Sequence, residues 1–279
     1  MKSLFKKKST REILAFSLLP FGISTIYSIV GTALNMYFTD VLGLSLSMTG
    51  IMLAVTKVWD AVNDPLMGML VDKTNTRWGK CRPYVFWMSG PMILVTALLF
   101  APVDFGQTGN FIYAIIAYIL YYTIYTALDI PNKGLAPLVF PEDKLRVKAL
   151  SWSNILGSLG SVLPSLLFFT VAGFWGREHQ KQGYFFSALI FATLGAVPMF
   201  FSAFGFKEKI KIPPKKEKYI DGLKIVFKDK KYIVLTIAMF FSSIVNIGSM
   251  FLPYFAKWNC IGVLPIDQLC DWINQTFGI

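Results

Sequence analysis

Charged residues are scarce in this chain of 279 residues, at 15% of the composition, whereas hydrophobic residues make up 54% and aromatic residues 16%. A soluble domain carries about a quarter charged residues because water must wet its surface. The composition therefore argues against a soluble enzyme, a disordered chain and a nucleic-acid-binding module. One histidine excludes a histidine-based metal site or triad, and three cysteines cannot form a disulfide framework. What remains is a membrane protein.

Long uncharged runs supply the membrane-spanning segments. A bilayer core requires about 20 mostly apolar residues per helix, and continuous runs of this length are unlike the short alternating strands of a membrane β-barrel. A seventh run, residues 43–71, is apolar except for Lys57, Asp60 and Asp64. The sequence thus predicts an all-α integral membrane protein with seven helices. The six runs without Asp, Glu, Lys or Arg are 13–38, 84–103, 111–128, 149–176, 182–206 and 232–256.

The distribution of basic residues predicts the orientation. Of the 27 lysines and arginines, 22 fall in the N-terminal tail and in the loops after the second, fourth and sixth helices. The positive-inside rule places these segments in the cytoplasm, so we expect a multi-pass protein of the cytoplasmic membrane with a cytoplasmic N-terminus. The net charge of +11 is then an orientation signal and an attraction to the lipid bilayer's anionic headgroups. It is a poor argument for a nucleic-acid partner.

Three domains are predicted along the chain. Residues 1–206 form a six-helix bundle, residues 207–231 a basic cytoplasmic linker, and residues 232–279 helix 7 and part of an outer loop. Within the linker, residues 219–227 form either a short amphipathic helix on the membrane surface or a solvated loop. Cys260 and Cys270 either pair, if the outer compartment is oxidising, or remain free thiols.

Helix 2 carries ionisable residues at bilayer depth, where they are costly and usually mark an ion or substrate pathway. Asp60 and Asp64 are four residues apart and share one helix face with Lys57, and Asn63 lies between them. Carboxylate and amide oxygens suit a hard monovalent cation, and two close carboxylates can instead hold a proton. The alternative is structural: Lys57 neutralises Asp60, and Asp64 contacts water near the inner end of the helix.

Helix 4 contains a further acidic residue, Asp129, three residues after Thr126 and on the same face. If the helix continues through Leu138, Asp129 lies well inside the membrane, and if it ends at Asp129 the carboxylate is a wetted terminus. Pro131 can free backbone carbonyls for use by a site. The helix is also rich in tyrosines, which serve as packing or interface residues unless one of them stacks on a sugar ring. These are Tyr113, Tyr118, Tyr121, Tyr122 and Tyr125.

Three segments, taken together, resemble the glycoside–pentoside–hexuronide:cation symporters of the major facilitator superfamily. Residues 58–68 resemble the helix 2 signature of that family, residues 68–83 resemble the 2–3 loop motif of the superfamily, and residues 125–131 are similar to the family's helix 4 motif. The resemblance extends from about Arg11 to helix 7. It implies a secondary active transporter, and no enzyme, that couples the transport of a sugar or glycoside to sodium, lithium or protons by alternating access.

The resemblance also implies roles for individual residues. Asp129 would face the sugar hydroxyls with Tyr125 beside it, and Lys57 would lie near the cation site. Asp72 and Arg77 would belong to cytoplasmic gating contacts. No cofactor is implied apart from the coupling ion. The residues that would bind this cation are Asp60, Asn63, Asp64 and Thr126.

The sugar site departs from the pattern of the family at three positions. Ser24 stands where helix 1 of a melibiose permease carries an acidic residue, Lys133 replaces an aromatic residue, and Asn154 replaces a basic one. These three remain candidate substrate-binding residues, but a galactoside cannot be inferred. The solute is then another glycoside, a pentoside, a hexuronide, an oligosaccharide or a non-sugar solute such as a lipid. A non-transporting scaffold or remnant is the other alternative.

Family members have twelve helices in two six-helix bundles with the substrate between them. This sequence contains the first bundle, the linker and helix 7. We therefore expect a truncated chain that needs a C-terminal six-helix bundle for transport.

Overall fold

The computed structural model describes residues 2–176, 180–210, 229, 233–234 and 236–238. The chain divides into two compact units, Met1–Lys216 and Glu217–Ile279, and most of the described residues belong to the first. Residues 233–234 and 236–238 are helical, but the rest of the predicted helix 7, the segment 219–227 and both Cys260 and Cys270 lie outside the described residues. The three predicted domain boundaries stay predictions.

The first unit is a bundle of helices that coincide with the first six predicted spans. A π-helical turn, Tyr37–Val41, extends the first helix. Because an apolar helix satisfies its own backbone hydrogen bonds, it is the structure that such runs adopt in a bilayer. The prediction of an all-α membrane protein is confirmed. The helices are α1 Lys2–Met36, α2 Leu46–Lys73, α3 Arg82–Leu99, α4 Gly106–Val139, α5 Asp143–Trp175 and α6 Gln180–Gly205.

Four helical segments within the described residues are long and apolar enough to cross a membrane by length and composition alone. The other two differ for physical reasons. The 28 residues of α2 include the ionisable groups noted above, and α3 has only 18 residues, which begin with the charged Arg82. The four segments are Ser9–Val41, Gly106–Val139, Asp143–Trp175 and Gln180–Gly205.

Small residues set the packing of α1 against α5 and α6, its most extensively contacted neighbours. Gly22 of α1 meets the backbone of Gly195 on α6, and Gly160 of α5 meets the backbone of Phe21 so closely that an added methyl group would overlap it. Such close approach is how membrane helices gain packing energy, because lipid supplies no hydrophobic force between them.

The helix pair α2 and α4 positions the candidate site. The indole Nε1 of Trp59 donates a hydrogen bond to the hydroxyl of Thr123 at 3.1 Å, which joins the two helices. Helix α4 runs without interruption to Val139, with Pro131 and Pro137 inside it. Asp129 therefore lies within the helix and is not its terminus.

Candidate functional site

A polar face formed by α2 and α4 brings together most of the predicted site residues. Asp64 lies close enough to Asp60, Thr126, Asp129 and Lys133 for electrostatic interaction, and the Thr126 hydroxyl is the nearby neutral donor. The side chains of Asp60 and Asp129 are 25% and 20% exposed, whereas Thr126 is buried. Three carboxylates, an ammonium group and a hydroxyl thus converge from two helices.

Lys57 has two partners on this face. Its Nζ lies 3.4 Å from an Asp60 carboxylate oxygen and donates a hydrogen bond to the hydroxyl of Tyr122 at 3.2 Å. It also lies 4.9 Å from the centre of the Tyr122 ring, a distance at which a cation is attracted to the ring face. The ion pair of the structural alternative is present, but Asp60 shares the ammonium with Tyr122.

Asp129 is held by a neighbour on its own helix. The Nζ of Lys133, one turn further along α4, lies 2.6 Å from an Asp129 carboxylate oxygen, and the Lys133 side chain is 66% exposed. Because the lysine side chain is largely exposed, the ammonium and the carboxylate of this ion pair can each form further hydrogen bonds. The structure thus joins two of the predicted substrate-binding residues in one pair.

Asn63 is the polar side chain on α2 whose bonding capacity is unused. It is 6% exposed, and its Nδ2 is the one buried side-chain nitrogen or oxygen among the described residues without a hydrogen-bond partner. A buried polar atom left unpaired costs about 1–3 kcal/mol, so a ligand group that reached this side chain would recover that free energy. Half a turn about the last side-chain bond exchanges the amide nitrogen for the amide oxygen, which is a cation ligand.

An aromatic wall of three tyrosines borders the polar face, and the sequence alone did not identify its outer member, Tyr27. The ring of Tyr27 on α1 lies 5.4 Å from that of Tyr125, with 32° between the planes, and Tyr121 stacks beneath Tyr125 at 6.0 Å and 13°. Tyr27 is 48% exposed and lies within electrostatic range of Lys57. The sequence feature that could have identified Tyr27 is its position three residues after Ser24, which places it one helical turn from that predicted substrate-binding residue.

Two predicted substrate residues lie elsewhere on the bundle. Ser24 is half-buried, with its hydroxyl against Gly157 of α5, and Asn154 is exposed on α5. In the described part of the chain neither makes a hydrogen bond to Asp129. Their predicted roles stay predictions.

The 2–3 loop lies at the end of the bundle where α2 ends and α3 begins. Lys80 Nζ lies 2.6 Å from an Asp72 carboxylate oxygen, and Arg77 is exposed. Thr76 and Gly79 close a tight turn through backbone hydrogen bonds of 3.3 and 3.2 Å in both directions. The predicted gating residues therefore form a separate group at the bundle end.

Comparison with known proteins gives consistent results. The profile of a family described as MFS/sugar transport protein matches residues 15–258. The inner membrane symporter YicJ of Escherichia coli K12 is 26% identical over 95% of this chain and 62% of its own length. The putative glycoside/cation symporter YagG of the same strain is 35% identical over 62% of this chain and 38% of its own length.

The isoprimeverose transporter of Lactiplantibacillus pentosus is 29% identical over 71% of this chain and 42% of its own length. The matched part of the chain thus spans at most 62% of the length of these three relatives.

Proposed function

Because this chain belongs to the MFS/sugar transport protein family, we propose that it forms part of a secondary active transporter that couples a sugar or glycoside to a monovalent cation. The family consists of transporters, which confirms that the chain is not an enzyme, and the predicted resemblance to cation symporters is confirmed by relatives named as symporters. The coupling cation and the class of solute are proposed here.

The proposal rests on the electrostatic surroundings of Asp64, which differ from those of Asp60 and Asp129. Lys57 pairs with Asp60 and Lys133 pairs with Asp129, whereas within the described residues Asp64 has no lysine or arginine within ion-pair distance. Three carboxylates and two ammonium groups give this face a net charge of −1 when all are ionised. One sodium ion or one proton at Asp64 neutralises it.

The proposed cation ligands come from both helices. Asp60, Asn63 and Asp64 lie on α2 and Thr126 lies on α4, so a bound cation draws the two helices together. Oxygen ligands of this kind suit a hard cation such as sodium. Proton coupling uses the same carboxylates, since two close ones do not both ionise cheaply.

Coupling to the solute follows from the geometry of α4. Asp129 lies three residues after Thr126, on the same helix face. A cation that fixes Thr126 also fixes the adjacent turn, and with it the carboxylate that would accept hydrogen bonds from sugar hydroxyls. Tyr27 and Tyr125 would pack against the apolar face of the sugar ring. We therefore expect the cation to increase the affinity for the solute.

A sugar or glycoside suits this face better than a lipid. Both ion pairs leave exposed donors and acceptors, which match hydroxyl groups and which a lipid chain cannot satisfy. The names of the relatives YagG and the isoprimeverose transporter support the same solute class.

We further propose that the protein resides in the cytoplasmic membrane with its N-terminus in the cytoplasm. Alternating access requires two bundles that rock about a central site. Transport by this protein is therefore proposed to need a C-terminal six-helix bundle in addition to the helices described.

The decisive experiment measures thermal unfolding of the purified chain in detergent against sodium, with choline as the ionic-strength control. A ligand that binds only the folded state stabilises it by about 2.7 kcal/mol at 100 times its Kd. We expect a sodium-specific rise in the unfolding temperature that is absent in Asp64→Asn. The matched control is Asp104→Asn, which removes an exposed carboxylate from the loop between α3 and α4 and should leave the rise intact.

The proton alternative predicts a different pattern. Wild type would then show no sodium-specific rise, but its unfolding temperature would depend on pH in a way that Asp64→Asn abolishes. Equal responses of wild type and Asp64→Asn to both sodium and pH would contradict the proposed site.

A further inference from the structure

The segment that follows α6, residues 207–210, crosses one end of the bundle and contacts three other helices; we call it the strap. The backbone amides of Lys209 and Ile210 both donate to the carbonyl of Leu138 near the end of α4, at 2.8 and 3.2 Å. The Nζ of Lys209 lies 2.7 Å from a carboxylate oxygen of Glu12 on α1. The strap is thus fixed to α1 and α4 on the C-terminal side of its central contact.

That central contact is made by Glu208 with the beginning of α3. One carboxylate oxygen accepts a hydrogen bond from the amide of Lys80 at 2.7 Å, and the other accepts from the amides of Cys81 and Arg82, both at 2.8 Å. The first amides of a helix have no partner inside it and attract negative charge. Cys81, the residue at the cap position, provides no side-chain cap. The carboxylate at the end of α6 provides it instead.

The turn before α3 is shaped to receive this carboxylate. Gly79 has φ +119°, a backbone conformation that favours glycine, and a methyl group added there would overlap the carboxyl group of Glu208. In return, Nε of Arg82 donates to the carbonyl of Ala203 in the last turn of α6. The loop and the end of α6 therefore hold each other through contacts in both directions.

The same loop is attached to the end of α2. Lys80 pairs with Asp72 at 2.6 Å, and the hydroxyl oxygens of Thr74 and Tyr84 lie 2.7 Å apart, within hydrogen-bond distance. Whatever fixes the backbone of residues 80–82 also fixes the last turn of α2. That helix carries the candidate cation ligands.

We propose that Glu208 is the positioning residue of the 2–3 loop: its carboxylate caps α3 from the end of α6 and thereby holds the loop, the end of α2 and the strap together. This role does not depend on which solute or ion the protein binds. It assigns a specific task to a residue outside the predicted site and outside the loop motif.

We call the contacts of the Glu208 carboxylate with the amides of residues 80–82 the clasp, and Cys81 provides an independent reporter inside it. Its side chain is 2% exposed, and burial together with the negative charge of Glu208 raises the pKa of the thiol to about 12. Only the thiolate reacts readily with alkylating reagents, so an intact clasp predicts very slow alkylation.

The test is hydrogen exchange, followed by mass spectrometry, of the full chain in detergent micelles. The amides of residues 80–82 have no partner within α3, so in wild type their protection requires Glu208. In Glu208→Gln, which loses the charge but keeps the shape, we expect these amides to exchange at least about tenfold faster, equivalent to about 1.4 kcal/mol. Exchange in α4 and α5 should be unchanged. The matched control is Glu142→Gln, at an exposed glutamate before α5.

Several results would overturn the proposal. If the amides of residues 80–82 in wild type exchange as fast as amides exposed to solvent, the proposal is contradicted before any variant is tested. Wild-type protection in a folded Glu208→Gln chain would contradict it as well. If Glu208→Gln does not fold, Gly79→Ala displaces the carboxylate from the other side and should expose the same amides.

Alkylation of Cys81 by N-ethylmaleimide, quantified by peptide mass spectrometry, supplies the second readout. We expect it to accelerate at least about tenfold in Glu208→Gln and to stay at the wild-type rate in Glu142→Gln. An unchanged rate in Glu208→Gln would contradict the clasp. The sodium response of the same samples is expected to persist, so failure of the clasp and failure of the cation site can be told apart.

Discussion

At the scale of single residues, Tyr27 and Tyr125 form the part of the site that is suited to the apolar face of a sugar ring. Aromatic side chains bind such faces because their surface is rigid and apolar while the tyrosine hydroxyl keeps a polar contact. The exposed ring of Tyr27 lies within electrostatic range of Asp129, the carboxylate that pairs with Lys133. Under the proposed function, the hydroxyl groups and the ring carbons of one solute would contact separate partners.

We predict that Tyr27→Ala weakens glycoside binding by about tenfold in Kd, or about 1.4 kcal/mol, whereas Tyr27→Phe retains most of it. The reason is that the contact is made by the ring and not by the hydroxyl. The measurement is the increase in unfolding temperature that a panel of p-nitrophenyl glycosides produces in the presence of sodium. Tyr113→Ala, at a half-buried tyrosine earlier on α4, is the control. Equal losses in the Ala and Phe variants would argue against stacking.

The ion pairs of the site were readable from spacing, but its aromatic wall was not. Lys57 and Asp60 are three residues apart, and Asp129 and Lys133 are four residues apart, so helix geometry alone brings each pair together. Tyr27 reaches Tyr125 only because α1 docks against α4, and a sequence does not specify that contact. The unused amide of Asn63 is likewise a property of the packed bundle.

At the scale of helices, glycines decide how closely α1 can approach its neighbours. Gly160 faces the backbone of Phe21, where an added methyl group would also crowd the hydroxyl of Thr25, whereas Gly173 on the same helix has open space around it. The two glycines therefore separate packing from helix propensity. The packing at position 160 requires the absence of a side chain, whereas the packing at position 173 does not.

We predict that Gly160→Ala lowers the free energy of unfolding by about 1–3 kcal/mol, the usual cost of overpacking. Gly173→Ala should leave it unchanged or raise it by up to about 1 kcal/mol, because alanine favours a helix more than glycine does. Thermal and denaturant unfolding in the same detergent would measure both. Destabilisation of similar size in the two variants would refute the assigned contact between α1 and α5.

The uncharged runs located the helices well and their ends less well. The run in helix 4 stops at residue 128 because Asp129 follows, yet α4 continues to Val139, and Lys133 pairs with that carboxylate one turn further along the helix. Conversely, the uncharged run 84–103 extends four residues beyond α3, which ends at Leu99. Pro102 disfavours helical backbone at the residue before it. Charge alone indicates neither effect.

At the scale of the whole molecule, the two ends of the bundle differ in charge. At the end formed by the 2–3 loop and the strap, residues 72–82 and 207–210 carry six lysines and arginines against two carboxylates. At the opposite end Lys181 lies 3.9 Å from an Asp104 carboxylate oxygen, which offsets its positive charge. An asymmetry of this kind is the signal that orients helices during membrane insertion.

The final prediction concerns this orientation. In a background with Cys81, Cys260 and Cys270 replaced by serine, Asn75→Cys marks the 2–3 loop and Gln107→Cys marks the start of α4, both at exposed positions. A membrane-impermeant maleimide applied to intact cells should label the chain carrying Gln107→Cys. It should label the chain carrying Asn75→Cys only after permeabilisation.

The opposite labelling pattern would place the basic end outside. It would then remove the electrostatic basis for the proposed topology, because the positive-inside rule counts the lysines and arginines of short loops. In either orientation Asp60 and Asp64 lie on α2, and the 2–3 loop that Glu208 holds is attached to the end of the same helix through the ion pair of Lys80 with Asp72. Orientation therefore decides from which compartment each is reached, while the physical connection between them is independent of it.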